Sequence, residues 1–166
     1  GKVFIVTDHS MVELGFLNKI IDQLNLRRNP VTYQLFAEVE PDPDITTVRR
    51  GVELMNTFKP DTIIALGGGS SMDAAKAMWI FYDDLKEKFM DIRKRAFKYP
   101  ELGRKSKLIC IPTTSGTGSE VSPFAVISDK ANGKKYPLTD YSLTPSIAIV
   151  DPEFTTHLPA KATAYT

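Results

Sequence analysis

Short runs of apolar, often β-branched residues alternate with segments of helical periodicity along this chain. In the first helical segment, Leu17, Ile20, Ile21 and Leu24 are spaced so that they share one face. Buried strands that alternate with amphipathic helices are typical of parallel sheets with right-handed crossovers. The pattern therefore predicts an α/β fold with a doubly wound, mostly parallel sheet. Strands are predicted over 2–7, 31–36, 61–66, 107–112 and 146–150, and two more, over 121–128 and 134–138, flank the turn 129–133.

Composition excludes several classes of protein. The 166 residues suit one domain of about 100–200 residues. Because 21 Lys and Arg residues face 20 Asp and Glu residues, no excess charge recruits nucleic acid. No apolar run approaches the roughly 18 residues of a membrane span. A single cysteine excludes an internal disulfide, and with only two histidines it disfavours an imidazole–thiolate metal site. We therefore expect a cytoplasmic domain that binds neither nucleic acid nor a membrane.

A glycine-rich turn is the strongest local motif. Gly67, Gly68, Gly69 and Ser70 follow a predicted buried strand and precede a helix that opens at Ser71. Glycines let a ligand approach the backbone closely, and the unpaired N–H groups at a helix start attract anions, most often phosphate. The turn is not a P-loop, because it lacks the Gly-Lys-Ser/Thr ending of that motif. It also differs from the common dinucleotide motif, because Met72 stands where that motif has its third glycine. The alternative is a plain turn capped by Ser70, with Asp73 as its capping-box partner.

Three other polar features fall at predicted strand ends. The loop Thr113–Ser119 is built of small and hydroxyl residues, which suit either a polar ligand or a flexible turn. Asp8 ends the first strand and could accept from ribose hydroxyls or cap the next helix. Asp42 carries the same two alternatives, and Pro43 after it suits the first position of a helix.

Several residues have a simpler interpretation. His9 and His157 belong to no cluster with metal-ligand spacing and are predicted to be surface or capping residues. Cys110 and Trp79 are predicted to lie in the core. The charged stretch 83–107, with Arg93 to Arg95 at its centre, is either a solvated helix and loop or a basic patch for a partner.

Taken together, the motifs resemble the nucleotide-binding half of the iron-containing (group III) alcohol dehydrogenases. The similar strings are 6–8, 36–43, 61–76 (DTIIALGGGSSMDAAK), 112–121 (PTTSGTGSEV) and 146–151. The strings 89–95 and 124–145 are most similar to the alcohol dehydrogenase portion of the bifunctional aldehyde–alcohol dehydrogenases. This resemblance implies a Rossmann-like domain of the dehydroquinate synthase type over residues 1–166.

The resemblance also implies a site for NAD. It places Asp8 and Asp42 on the adenosine side, and the charge of Asp8 favours NAD over NADP. The residues that it assigns to the diphosphate are Gly67, Gly68, Gly69, Ser70, Ser71, Met72 and Asp73. Thr113 and Thr114 would also contact the cofactor, and Val126, Lys135 and Phe154 would line the rest of its groove. The reaction would be reduction of acetaldehyde-type aldehydes to primary alcohols, by hydride transfer from NADH.

The chain also departs from the family pattern. In that family an Asp and three His of a following helical domain bind iron, or another divalent metal such as zinc, and we expect the chain to stop at Thr166 before the first ligand. It is also several residues shorter between Tyr82 and Phe89. The resemblance thus predicts a piece of a larger enzyme, without a catalytic or metal residue of its own, and inactive alone.

The parent protein and its partners remain open at this point. The resemblance implies a homo-oligomer acting on a small alcohol or aldehyde, and the bifunctional members tend to form helical assemblies. The alternatives are a stand-alone butanol or propanediol dehydrogenase of the same family, or a non-catalytic nucleotide-binding or assembly module.

Overall fold

The computed structural model describes residues 1–83, 99, 101–156 and 158–166. The described strands are β1 Lys2–Val6, β2 Thr32–Phe36, β3 Thr62–Gly67, β4 Lys107–Pro112, β5 Phe124–Asp129, β6 Lys134–Thr139 and β7 Ile147–Ala148. The described α-helices are α1 His9–Glu13, α2 Phe16–Asn25, α3 Ile45–Phe58, α4 Gly69–Asp83 and α5 Ala160–Tyr165, with short 3-10 helices at Tyr141–Leu143 and Pro152–Phe154. In these ranges no helix has the length and apolar character needed to cross a bilayer.

Five of the strands form one parallel sheet in the order β2-β1-β3-β4-β7, which confirms the predicted doubly wound α/β fold. Strands β5 and β6 form a separate antiparallel hairpin. The chain moves from β1 outward to β2 and then returns to β3 on the other side, so the strand order reverses between β1 and β3. Doubly wound sheets bind ligands at such a reversal, at the carboxyl ends of the strands.

Alternate residues of the central strands enter two separate cores. Phe4 and Val6 pack on one side of the sheet with α3, α4 and the β5–β6 hairpin. Val3 and Ile5 pack on the other side with Leu17 of α2. This two-residue alternation is the expected result of burying both faces of a strand. Cys110 and Trp79 are buried, as predicted.

Three predicted elements differ from the structure. Strand β5 begins at Phe124 rather than at residue 121, because Val121 belongs to an exposed turn closed by its N–H to the Gly118 carbonyl. The last strand is only Ile147–Ala148, since its pairing with β4 covers two residues. Residues 84–98, including the predicted basic patch Arg93 to Arg95, lie outside the described residues.

The N-cap of α3 is Asp44, so the prediction that Asp42 caps this helix is wrong. The Asp44 carboxylate accepts from the Thr46 N–H at 2.8 Å and from the Lys130 N–H at 3.0 Å. Asp42 instead has a left-handed backbone (φ 56°) and pairs with the Lys135 ammonium at 2.7 Å. The capping residue therefore comes after Pro43 rather than before it. At this position the Asp44 carboxylate bonds both to the start of α3 and to Lys130 of the β5–β6 hairpin.

Replacing Asp44 by Ala should lower the free energy of unfolding by about 1 kcal/mol at pH 7. Burial by itself raises the pKa of Asp44, but the hydrogen bonds from Thr46 and Lys130 outweigh it, so the pKa lies below its ordinary value. A carboxylate with a lowered folded-state pKa stabilises the fold above its unfolded pKa of about 3.9 and loses this contribution as the pH falls through the folded value. The difference between wild type and Asp44→Ala should therefore shrink in acid.

Urea unfolding from pH 7 to pH 3 measures this effect. Asp42→Asn is the matched control, because Asn also tolerates a left-handed backbone and the ion pair with Lys135 is exposed. A larger loss for Asp42→Asn than for Asp44→Ala would contradict the assignment of the cap.

Candidate functional site

A cleft of about 700 Å³ opens where β1, β3 and β4 end. The turn after β3 and the first residues of α4 form its floor, and Phe154 and Leu158 of the C-terminal segment border it. Eight of the predicted site residues line this cleft, namely Asp8, Gly68, Gly69, Ser70, Ser71, Thr113, Thr114 and Phe154. The sheet thus brings together side chains that are about 150 positions apart in the chain, because parallel strands end at one edge.

The turn after β3 requires glycine at its first position. Gly67 has φ 146°, and a Cβ there would lie 2.5 Å from the Ser71 hydroxyl and 3.1 Å from the Asp8 carboxylate. The Gly67 carbonyl accepts from the Thr113 N–H at 3.0 Å, which joins this turn to the end of β4. Helix α4 then begins at Gly69, and Gly69, Ser70 and Ser71 of its first turn line the cleft. The start of a helix, with its unpaired N–H groups, is where an anion would bind.

The alternative of a capping box at this helix is not what the structure shows. Ser70 lies inside α4, whose first residue is Gly69. The Asp73 carboxylate accepts from the Ser119 hydroxyl at 2.8 Å and from the Val126 N–H at 2.9 Å. Burial raises the pKa of Asp73, against the opposing effect of these two hydrogen bonds. Asp73 therefore anchors other segments of the chain instead of closing the helix start.

The loop 113–119 covers the glycine turn. A Cβ on Gly68 would lie 3.3 Å from the Thr114 methyl, and one on Gly69 would lie 3.1 Å from the Thr117 methyl. The Thr114 hydroxyl oxygen is buried and has no hydrogen-bond partner in the described part of the chain. Buried hydroxyls almost always have a partner. A polar ligand in the cleft would supply one, so the residues present fit a nucleotide.

Asp8 caps a helix and also lies at the edge of the cleft, so its position suits both of the roles predicted from the sequence. Its carboxylate accepts from the Met11 N–H at 3.3 Å and caps α1. The other carboxylate oxygen accepts from the Ser71 hydroxyl at 3.2 Å, which holds the acid against the first turn of α4. The alternative of an N-cap is confirmed, and the same carboxylate borders the cleft. Its contact with a ribose stays a prediction.

Six predicted site residues do not line the cleft: Asp42, Gly67, Met72, Asp73, Val126 and Lys135. Met72 lies on the face of α4 that packs into the core and is fully buried, so its side chain cannot contact a ligand in the cleft. Asp42 and Lys135 are exposed and paired with each other beyond the cleft. The cofactor roles of these six residues stay predictions.

Sequence analysis missed the apolar wall of the cleft. Met11, Phe16 and Val39 line it, and the Phe16 ring packs edge-on against Phe154 with centroids 5.3 Å apart. Phe16 opens α2 directly after Gly15, which has a left-handed backbone of φ 73° and separates α1 from α2. The sequence did contain one indication of this wall. The residues that follow β1 begin at the carboxyl edge of the sheet, where such folds bind ligands.

Among the described residues there is no group of three or more His, Cys, Asp or Glu side chains that could hold a metal ion. His9 is exposed and lies 3.3 Å from Glu13 on the same helix, which fits its prediction as a surface residue. His157 lies outside the described residues.

Comparison with known proteins supplies the family. The family model described as iron-containing alcohol dehydrogenase matches residues 1–152. The chain belongs to this family of iron-containing alcohol dehydrogenases. The chain is 69% identical to an aldehyde-alcohol dehydrogenase of Streptococcus pneumoniae, a match that covers 99% of this chain and 20% of that protein. It is 48% identical to an NADPH-dependent butanol dehydrogenase of Clostridium saccharobutylicum, covering 95% of this chain and 40% of that relative.

A solved structure of a reductase agrees in fold with this chain. The sulfoacetaldehyde reductase of Bifidobacterium kashiwanohense, crystallised with NAD+, superposes with a TM-score of 0.83 at 32% identity. That match covers 98% of this chain and 41% of the reductase. The resemblance stated from the motifs is therefore confirmed at the level of family and fold, while this chain spans only a fifth of the Streptococcus relative.

Proposed function

We propose that residues 1–166 are the NAD-binding domain of a metal-dependent alcohol dehydrogenase that reduces acetaldehyde-type aldehydes to primary alcohols. The observation that carries the proposal is the glycine turn and the open start of α4 at the reversal of strand order, covered by a loop with an unpartnered hydroxyl. This arrangement is how doubly wound folds hold a dinucleotide. The match to a protein crystallised with NAD+ supports it.

Each part of the cleft has a task in this proposal. The N–H groups at the start of α4 would bind the diphosphate, whose negative charge the helix dipole favours. The Asp8 carboxylate would accept from ribose hydroxyls, and the Thr114 hydroxyl would donate to the cofactor. The Phe16–Phe154 pair would cover an apolar part of it. The nicotinamide supplies the hydride when bound, and this chain contributes by orienting it.

The metal in this proposal, iron or a similar divalent ion, would be held by residues other than the described ones. An aldehyde–alcohol dehydrogenase is favoured over a stand-alone butanol dehydrogenase, because identity is 69% to the former relative and 48% to the latter. We also propose that the protein is cytoplasmic and forms a homo-oligomer; sedimentation of the natural-length protein would test the oligomeric state.

A polypeptide limited to residues 1–166 should bind NADH weakly and show no turnover of ethanol. The physical reason is that the described residues can orient a dinucleotide but hold no Lewis acid to stabilise an alkoxide. Titration with NADH, followed by energy transfer from Trp79 or by calorimetry, and an ethanol-oxidation assay measure the two properties. The natural-length protein, assayed in parallel, should do both.

Two results would contradict this proposal. Ethanol oxidation by residues 1–166 alone would place the chemistry within this domain. Failure of the natural-length protein to bind NADH or NADPH at this cleft would favour a non-catalytic assembly module.

A further inference from the structure

Lys76 is a fully buried lysine outside the cleft that the proposed function does not use. It lies in α4, two turns after the helix start at Gly69. Lysine is almost never fully buried without partners, because the ammonium loses its hydration. Burial indeed lowers the pKa of Lys76, while the Asp73 carboxylate nearby acts in the opposite direction. The lost hydration of the ammonium must therefore be offset by hydrogen bonds within the protein.

The ammonium of Lys76 holds the segment that follows the covering loop. Its Nζ donates to the Ser122 carbonyl at 2.7 Å, the Phe124 carbonyl at 2.8 Å, the Ser119 hydroxyl at 3.2 Å and the Ser122 hydroxyl at 3.3 Å. The Ser119 hydroxyl in turn donates to Asp73, one turn earlier on α4, at 2.8 Å. Lys76, Ser119 and Asp73 therefore form one continuous network between the helix and the loop.

This network is the attachment of the covering loop at its far end. At the near end, the Thr113 N–H bonds to the Gly67 carbonyl. Within the described ranges, the hydrogen bonds that tie residues 114–122 to other parts of the fold are those of Lys76 and Asp73. Between the two ends lie Thr114 and Thr117, whose methyl groups cover Gly68 and Gly69. The position of these threonines above the glycine turn therefore depends on α4 at the far end of the loop, while Gly116 in its middle packs against the backbone of Thr166.

We propose that Lys76 is a positioning residue for the dinucleotide: through Ser119 it holds the loop 113–119 in place beside the glycine turn where the diphosphate would bind. This inference rests on the proposed NAD function and deepens it. Helix α4 would then supply both sides of the diphosphate site, with its first turn below and the anchored loop above. Such anchoring keeps the site preformed, which saves the cost of ordering the loop on binding.

Replacing Lys76 by Met tests this role in the protein at its natural length. Met preserves most of the volume and apolar stem but removes the donors to Ser119, Ser122 and Phe124. We expect KM for NAD in alcohol oxidation to rise about tenfold or more, with kcat unchanged within about twofold, since a loosened binding site weakens ground state and transition state alike. Hydrogen exchange of amides 114–122 should also become faster in the variant.

Tyr82→Phe is the matched control. Tyr82 lies further along α4, is buried, and donates from its hydroxyl to the Pro60 carbonyl at 3.0 Å, away from the loop. The substitution Tyr82→Phe removes one buried hydrogen bond of the same helix and should leave KM and kcat within about twofold of wild type. If Lys76→Met and Tyr82→Phe changed KM equally, or if Lys76→Met lowered kcat with KM unchanged, the inference would be wrong.

A milder variant keeps the inference testable if Lys76→Met does not fold. Ser119→Ala removes the hydroxyl between Lys76 and Asp73 and leaves the ammonium its acceptors on Ser122 and Phe124. The variant loses two hydrogen bonds, from Lys76 to Ser119 and from Ser119 to Asp73. Because the other contacts of Lys76 remain, we expect KM for NAD to rise only about threefold. An unchanged KM would overturn the positioning role, whereas absence of NAD binding by the unmodified protein would overturn the proposed function itself.

Discussion

Replacing Gly69 by Val should lower the affinity for NADH by at least about 100-fold, or roughly 2.7 kcal/mol. A Cβ added at this position would lie 3.1 Å from the Thr117 methyl, so the valine methyl groups would push the covering loop away from the start of α4. Under the proposed function, the diphosphate binds at this turn beside that loop, so the displacement would disrupt its site. Loss of about two charge-assisted hydrogen bonds, at about 1.5–3 kcal/mol each, accounts for the size of the effect.

Fluorescence or calorimetric titration with NADH measures this effect, and urea unfolding checks that the fold survives. Gly133→Asn is the matched control, because Gly133 has a left-handed backbone of φ 62° in the β5–β6 turn with nothing within 4 Å of a Cβ. Asn accepts that conformation, so binding should stay at the wild-type level. Equal affinity of Gly69→Val and wild type would show that no diphosphate lies at this turn.

Replacing Asp8 by Asn should reduce the preference for NADH over NADPH by about 100-fold. A carboxylate about 6 Å from a 2′-phosphate charge, at an effective dielectric constant of about 20, repels it by roughly 3 kcal/mol. Asn retains an oxygen that can accept from the Met11 N–H and cap α1. One relative, 48% identical to this chain, is an NADPH-dependent butanol dehydrogenase.

The measurement is the ratio of kcat/KM for NADH and NADPH, compared between wild type and variant. Glu13→Gln is the control, since it removes one negative charge at the exposed end of α1 outside the cleft. A ratio that moves equally in both variants would indicate a general effect of charge. An unchanged ratio in Asp8→Asn would remove Asp8 from the adenosine side.

The strand ends and the glycine turn were predictable because they depend on local pattern and one topological rule. Asp8 and Gly67 follow apolar runs, and parallel strands bring such positions to one edge. The cap of α3 was not predictable in this way, because Asp42 and Asp44 flank Pro43 with similar local preferences. Asp44 is favoured as the cap by a tertiary contact, because it also accepts from the Lys130 N–H of the hairpin, 86 positions away.

Lys76 shows the same limit at the candidate site. A lysine in an alanine-rich helix has the pattern of a solvated residue. Its acceptors lie 43 to 48 positions later, in the segment from Ser119 to the first residue of β5. Burial of this kind results from tertiary packing, which overrides local propensity. The apolar wall around Phe16 was missed for the related reason that its partner, Phe154, comes from the other end of the chain.

The one thiol of the chain, Cys110, lies in the middle of β4 with no exposed surface, and burial raises its pKa to about 12. Alkylating reagents attack thiolates, so in the native state this sulfur is both hidden and protonated. Modification requires the central sheet to open. The rate of Cys110 labelling therefore reports how often the sheet around β4 opens, without any engineered cysteine.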